Sequence, residues 1–460
     1  MDDLSKGQLT AVRNPPEARA GLPSTWIARV LRGLVLGLAV SGLLAGCQRW
    51  PGVRDLSLPF LPTPTPEPIR LRVVAWNEGE ATERLEEWLL RYDRLRPQVW
   101  VELEILDEYA LAAPRRLAQT SPGGPDVPHE GAPEPVDLVL VDAYRFPDLA
   151  QAGLLAPVAE LDVDDLDPRL VAPFRWDGQL FCRPREVRTL ALVYHQGLLA
   201  QADRAPPTTW EELRAVAEAT SDLNTGTFGL IEAPDLSRWM PFLLQAGGQV
   251  IDDRGRMALD SPQALQALEF YIELFRENLA GEPGESLSGW AGEVLGQGRG
   301  ALAVEGPWVA AYFAEAFPEL AYGVAPLPRG PGGAGTVAFT SCWALAAASP
   351  HPTAARALLR ALAAPEAFDA ILGGPSWLPP EQTAQARWAA AYPELAPFVQ
   401  ELEHAWVWQF PPGFDPVVRA FNRGMQELFV AAIEPADLLA EVQRIGEEVL
   451  ASCCTTSPGR

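Results

Sequence analysis

Two hydrophobic periods alternate along this chain. Ile69-Arg-Leu-Arg-Val-Val-Ala-Trp76 and Val99-Trp-Val-Glu-Leu-Glu-Ile105 read as strands, and Val136-Asp-Leu-Val-Leu-Val141 is a nearly continuous apolar run, the pattern of a strand buried in a parallel sheet. Between the first two, Leu85, Trp88, Leu89, Tyr92 and Leu95 fall on one helical face. Ala301–Val304 and Val337–Leu345 predict two more strands, the second followed by a helix around Ala354–Leu362. Helix starts are marked by Thr208 with Glu211 three residues on, a capping box, and by Ser261 followed by Pro262, whose helix buries Leu265, Leu268, Ile272 and Phe275. Residues 121–135 are rich in Pro and Gly and read as a loop, and the last third is helical and Trp-rich. Strands alternating with helices indicate an α/β fold. No internal repeat is present.

The N-terminus follows a different pattern. A polar stretch ends in Arg29 and Arg32, and an apolar run, Gly33 to Leu44, follows. That run is shorter than the roughly 20 residues a membrane span needs. It closes on Leu44-Ala-Gly-Cys47, which resembles a bacterial lipobox. The resemblance implies a signal peptide over 1–46 and a membrane lipid carried on the Cys47 thiol. Six prolines between 51 and 68, with the phrase Pro62-Thr-Pro-Thr-Pro-Glu-Pro68, make 47–68 a semi-rigid tether. The expected location is extracytoplasmic, lipid-anchored to the cell membrane.

Composition narrows the function. With 460 residues the chain has room for two lobes. A net charge of -24 opposes nucleic-acid binding, which needs basic stripes; it suits a soluble secreted protein or a cationic ligand. Lys6 is the sole lysine, so the body offers none for a Schiff base or a P-loop. The four histidines are scattered and no cysteines have C-x-x-C spacing, so no metal site and no cofactor are expected. Gly296-Gln-Gly-Arg-Gly300 precedes a strand instead of following one and reads as a helix stop. Asp162, Asp164, Asp165 and Asp167 lack EF-hand spacing and read as a capping turn.

An ordered series of phrases runs through the body: Val73-Val-Ala-Trp76, Val136-Asp-Leu-Val-Leu-Val-Asp142, Leu149-Ala-Gln-Ala-Gly-Leu-Leu155, Gly178-Gln-Leu-Phe-Cys-Arg-Pro184, Leu192-Val-Tyr-His195, Pro206-Pro-Thr-Thr-Trp-Glu-Glu-Leu213, Gln245-Ala-Gly-Gly248, Leu259-Asp-Ser-Pro262 and Glu305-Gly-Pro-Trp308. In this order they resemble solute-binding protein family 1, the maltose-binding-protein-like class that serves ABC importers. The usual Tyr-Asn-Lys of that class is replaced by Tyr194-His195-Gln196. The resemblance implies a two-lobed periplasmic-binding-protein-like fold (type II), with the ligand cleft between lobes joined by crossover hinge strands. Lobe 1 would comprise 69–186 and 328–374, lobe 2 190–327 and 375–452, and 453–460 a tail containing Cys453 and Cys454.

The same resemblance nominates a site. The loop after the first strand supplies Trp76, Asn77 and Glu78; the end of the third supplies Asp142 and Tyr144. The Gly-Pro-Trp phrase supplies Trp308 beside Glu305, and Arg183 and Arg185 border the first crossover. Ser341, Trp343, Trp377, Trp239 and Trp408 complete the set. A sugar needs aromatic rings for its C–H faces and planar bidentate groups for its hydroxyls. The chain has 15 tryptophans, several at strand ends or in loops. Trp88, Trp100, Trp210, Trp290 and Trp388 read as packing. Cys182 and Cys342 would both lie near the hinge strands and are a candidate disulfide on the oxidising side of a membrane.

The expected function is therefore extracytoplasmic capture of a solute, a mono- or oligosaccharide, by a monomer that delivers it to ABC permease subunits without catalysis. The alternatives are a lipid-anchored glycan-active enzyme, or the same fold binding a peptide, polyamine or phosphorylated polyol. An acidic cleft would favour a polyamine; Arg183, Arg185 and Arg329 together would favour an anion.

Overall fold

The computed structural model describes residues 68–106, 109–118, 134–286 and 288–455. Every described residue belongs to one compact unit, Glu67–Arg460. The expected signal peptide, Cys47 and the expected tether up to residue 67 lie outside the described residues, as does most of the 121–135 stretch.

Fourteen strands are described: β1 (Ile69–Ala75), β2 (Val99–Ile105), β3 (Leu138–Asp142), β4 (Leu155–Ala156), β5 (Arg175–Trp176), β6 (Gln179–Leu180), β7 (Pro184–Thr189), β8 (Ala191–His195), β9 (Phe228–Ile231), β10 (Ala280–Gly281), β11 (Gly300–Glu305), β12 (Tyr322–Ala325), β13 (Thr336–Ala346) and β14 (Ala405–Val407). They form two main sheets. The first runs β14-β13-β3-β1-β2, with β4 and β7 also on β13; the second runs β10-β9-β11-β8-β12. β5 and β6 make a separate hairpin whose turn, Asp177-Gly178, has φ of 47° and 77°. Asp-Gly is the pair that tolerates two such residues in succession.

Crossover strands join the sheets. β7 in the first sheet becomes β8 in the second after one residue, Leu190. There the Leu190 amide donates to the Val337 carbonyl (3.1 Å), and the Thr336 hydroxyl donates to the Leu190 carbonyl (2.8 Å). β12 returns the chain to β13, and Leu378 pairs with Val187 of β7 in a third crossing. A two-lobed α/β architecture follows. β14 lies in the stretch expected in the second lobe, yet it pairs in parallel with Thr336–Ala338 and extends the first sheet.

Each sheet has its own core. Leu71, Val73 and Ala75 of β1 bury against Leu85, Leu89 and Tyr92 of the helix Glu80–Leu95. Leu95 is 72% exposed, because the helix ends there and its face has turned away from the sheet. Trp100 is 46% exposed: alternation on the edge strand β2 points it outward, not into packing. In the second core Leu230, Leu302 and Val304 meet the helices Leu236–Gln245, Pro262–Arg276 and Asp415–Phe429.

Local signals hold with small shifts. Ser261 caps its helix by accepting from the Ala264 amide. The cap expected at Thr208 is supplied by Thr209, which accepts from the Glu212 amide; Glu212 reaches back to the Thr208 amide and hydroxyl. Two adjacent threonines each followed by a glutamate at the third position made both frames readable. His195 caps the helix Gln196–Gln201 through its ring nitrogen, which accounts for His at that turn. The last helix, Pro435–Thr455, runs into the expected tail, since no breaker precedes Pro458.

Candidate functional site

The nominated residues gather where strands of both sheets end. β1 stops at Ala75, and Asn77 accepts from the Gly79 amide to turn the chain into its helix. This loop leaves Trp76 half-buried, Asn77 exposed and Glu78 largely buried. Glu78 meets the Arg185 guanidinium in a short ion pair. Arg185 also donates Nε–H to Ser341 Oγ at 2.8 Å, and Ser341 donates to Glu186 Oε1 at 2.7 Å. Glu186 in turn accepts from Arg188 Nε at 3.1 Å. Ser341 and Glu186 are fully buried, and Arg188 is half-buried.

From Arg188 the arrangement passes to aromatic rings. Its guanidinium carbon lies 4.6 Å from the Trp377 ring centroid and 5.9 Å from that of Trp308. Trp308 follows β11 at the start of the helix Val309–Ala316. A Cβ added at Gly306 would come within 2.1 Å of this indole, so glycine is required for the ring to fold back there. The indole N–H donates to Glu305 Oε2 at 2.9 Å, and Arg238 Nη2 donates to the same oxygen at 3.1 Å. Arg238 stands in the first turn of the helix Leu236–Gln245, capped by Asp235. Its Nε is 3.6 Å from Glu232, just beyond the end of β9.

The carboxyls of this second wall are held away from water. Burial pushes Glu232 well above the usual carboxylate range, against the pull of Arg238. Neither Glu232 oxygen completes a hydrogen bond, and Arg238 Nε is also without one. Burial raises Glu305 too, opposed by Arg238 and the Trp308 N–H. Across the site, burial raises Asp142 at the end of β3, opposed by the Arg145 amide (2.6 Å) and by the Arg145 and Arg188 charges.

A second group ties the first lobe to the C-terminal segment. Tyr144 donates to Asp415 Oδ1 at 2.6 Å, and Arg145 Nη1 donates to Oδ2 at 2.8 Å. Burial pushes the Asp415 carboxyl up, but these two bonds outweigh it and hold it below its usual value. Tyr144 stacks on Trp408 with centroids 6.0 Å apart.

Other nominated residues sit differently. Trp239 is 0% exposed and stacks on Phe421 at 4.7 Å, so it is core, not cleft wall. Its position on the buried face of an apolar helix, Leu236–Gln245, put it there. Arg183 pairs with Glu381 at 2.6 Å, and with Arg185 and Trp343 it lines a cavity of about 20 Å³ behind the site. That volume suits a water, not a sugar ring. Trp343 packs in the first core, with Arg185 5.9 Å from its ring and 5.6 Å from Trp377. Cys182 and Cys342 are disulfide-bonded, with Cα atoms 5.9 Å apart. Among the described residues no group of His, Cys, Asp and Glu is arranged to hold a metal ion.

Arg188, Glu186, Glu232, Arg238, Arg145 and Asp415 were not nominated. Glu232, just after the apolar strand Phe228–Ile231, carries the same signal as Glu305, which ends its own strand. Asp235 before an apolar helix marked Arg238 as a first-turn residue. Nothing local marks Arg188, which two rings distant in sequence define.

A family model described as "Bacterial extracellular solute-binding protein" matches residues 101–367. A protein of Brucella abortus (strain 2308), named as a binding protein, is 23% identical over 329 residues, 68% of this chain and 79% of its own length. The maltodextrin-binding protein MdxE of Bacillus subtilis (strain 168) is 26% identical over 220 residues, 45% of this chain and 50% of its own. Among solved structures, the GacH receptor of Streptomyces glaucescens, described unliganded and with acarbose, superposes with a TM-score of 0.71 at 21% identity, covering 84% of this chain and 99% of that one.

Proposed function

The chain belongs to the bacterial extracellular solute-binding proteins, and from that premise we propose that it captures a mono- or oligosaccharide between its lobes and delivers it to the permease of an ABC importer. The observation that carries the sugar reading is the pairing of Trp308 and Trp377 about Arg188, with Glu305, Glu232 and Arg238 alongside. Half-buried indoles suit the C–H faces of a pyranose. Carboxyls and guanidinia suit adjacent hydroxyls, and the Glu232 oxygens, ion-paired with Arg238 but not hydrogen-bonded, leave hydrogen-bonding capacity unused.

The balance of charge supports an uncharged ligand. Arg188 is ion-paired with Glu186, and Arg238 lies between Glu305 and Glu232, so each guanidinium already has a carboxyl partner within the protein. MdxE, named for maltodextrin, and GacH, crystallised with acarbose, support the same class.

In this reading the lobes are 69–186 with 328–374 and 190–327 with 375–452, the latter lending β14 to the first sheet. Closure about the β7–β8 and β12–β13 crossovers buries the sugar, and selectivity arises from contacts that exist only in the closed state. Capture needs no covalent chemistry. The ligand-binding set is Trp76, Asn77, Glu78, Asp142, Tyr144, Arg185, Glu305, Trp308, Trp377 and Trp408, extended by Arg188, Glu232 and Arg238. Lipid on Cys47 holds the monomer at the membrane. No described helix is long and apolar enough to cross one.

A thermal-shift screen of the purified body against mono-, di- and malto-oligosaccharides tests the reading. A saturable rise in melting temperature with one sugar class is the expected result. No shift with any sugar, from a protein that melts cooperatively, would remove carbohydrate as the ligand.

A further inference from the structure

We propose that the Cys182–Cys342 disulfide is a positioning device for the binding site, holding β7 in the register that turns Arg185 onto the same side as Glu186 and Arg188. This rests on the reading of that side as a sugar site.

The pairing of β7 with β13 carries a bulge. Along β7 and β13, Thr189 faces Ala338, Arg188 faces Phe339, Val187 faces Thr340 and Glu186 faces Ser341; then Pro184 faces Cys342. Arg185 is the extra residue, opposed by nothing on β13. In a regular strand consecutive side chains point to opposite faces. Here the consecutive Arg185 and Glu186 both reach one atom, Ser341 Oγ, at 2.8 Å and 2.7 Å. A bulge brings two successive residues opposite one partner residue and so allows this. As a result Arg185, Glu186 and Arg188 stand together, with Trp377 within 5.6 Å of the first guanidinium and 4.6 Å of the last.

Such an arrangement needs its register fixed on both flanks. Toward β8 the ladder continues normally to Thr189. On the other flank stands Pro184, which has no amide hydrogen to donate to β13. The disulfide lies on this flank: Cys342 is the partner of Pro184, and Cys182 is two residues before it. A slip of one residue would transfer Arg185 to the opposite face and break its contacts with Ser341 and Glu78. The covalent bond prevents that slip where the ladder cannot. The Arg183–Glu381 ion pair lies on the same flank but holds a side chain, not the pairing with β13.

The test is a double-mutant cycle with maltotetraose as the probe, measured by calorimetry well below the melting transition. The chains compared are wild type, the disulfide-free Cys182→Ala/Cys342→Val, Arg185→Gln, and all three changes together. Removal of the disulfide is expected to weaken binding by about tenfold in the wild-type background and by nothing further with Arg185→Gln. Hydrogen exchange of the ligand-free proteins gives a second readout. Amides of 184–189 should exchange faster without the disulfide, while those of β11 are unchanged. Equal affinity losses in both backgrounds would overturn the proposal, because a merely structural bond weakens both alike. Unaltered exchange at 184–189 would overturn it as well. Should wild type not bind maltotetraose, the sugar reading fails for that probe, and exchange alone decides the positioning role.

Discussion

The two walls of the site differ in how they use their polar groups. On the first-sheet side, Glu78, Arg185, Ser341 and Glu186 bond to one another, and none of their side-chain atoms is both buried and unpaired. On the second-sheet side, both oxygens of Glu232 and Nε of Arg238 are buried without a hydrogen bond. Buried polar groups normally find partners, and in the proposed reading ligand hydroxyls supply them here. The first wall is held by its own network; under the proposed function the second would receive ligand hydroxyls, and the disulfide would fix the first. Trp308 in the second wall is half-buried, whereas Trp343 is packed in the first core.

Substitutions sharpen this contrast. Trp239→Ala removes a fully buried ring from the second core and should lower stability by about 3–5 kcal/mol in chemical denaturation. Its binding at low temperature should persist while the protein stays folded, whereas loss of binding without loss of stability would return Trp239 to the site. Trp308→Ala should do the reverse. A loss of about 2–3 kcal/mol in sugar affinity, with little change in melting temperature, is expected by calorimetry. Unchanged affinity would move the stacking surface elsewhere.

The pH dependence of stability bears on the crossovers. Glu401 is buried, its Oε1 accepts the Leu327 amide at 2.8 Å, and burial raises its carboxyl to about 7. A raised acid binds more protons in the folded state than in the unfolded one. Its contribution is thus fully present below the usual value of 4.5 and is lost as pH rises through about 7. Glu401→Gln should gain roughly 1–2 kcal/mol at pH 8 relative to wild type and flatten the decline above pH 5. An unchanged profile in a denaturation series would show that the carboxyl is ionised throughout. Smallest of all, Glu232→Gln should alter sugar affinity by less than about 0.5 kcal/mol, since it mimics the neutral carboxyl that burial favours. A collapse of binding would mean that the charged form is the one in use.

Most of the fold was legible because strands announce themselves. The apolar runs ending at Trp76, Ile105, Val141, Val304 and Leu345 each mark a strand, and the observed ends fall within one residue of them. Register and edges were not legible: Trp100 reads as packing from the sequence, but it stands on the edge strand β2 and is exposed. The site divided in the same way. Trp308 was readable because Gly306 and Pro307 mark its turn, and Glu305 because it ends a strand. Arg188 acquires its place only from Trp308 and Trp377, more than a hundred residues away, and from a bulge that simple alternation along β7 conceals.

Hydrogen exchange with and without the sugar that gives the largest thermal shift tests the contrast between the walls most directly. New protection is expected at 232–238 and 305–309, with little change at 341–343, already fixed in the free protein. Protection confined to 76–78 and 341–343, leaving the second wall untouched, would contradict it.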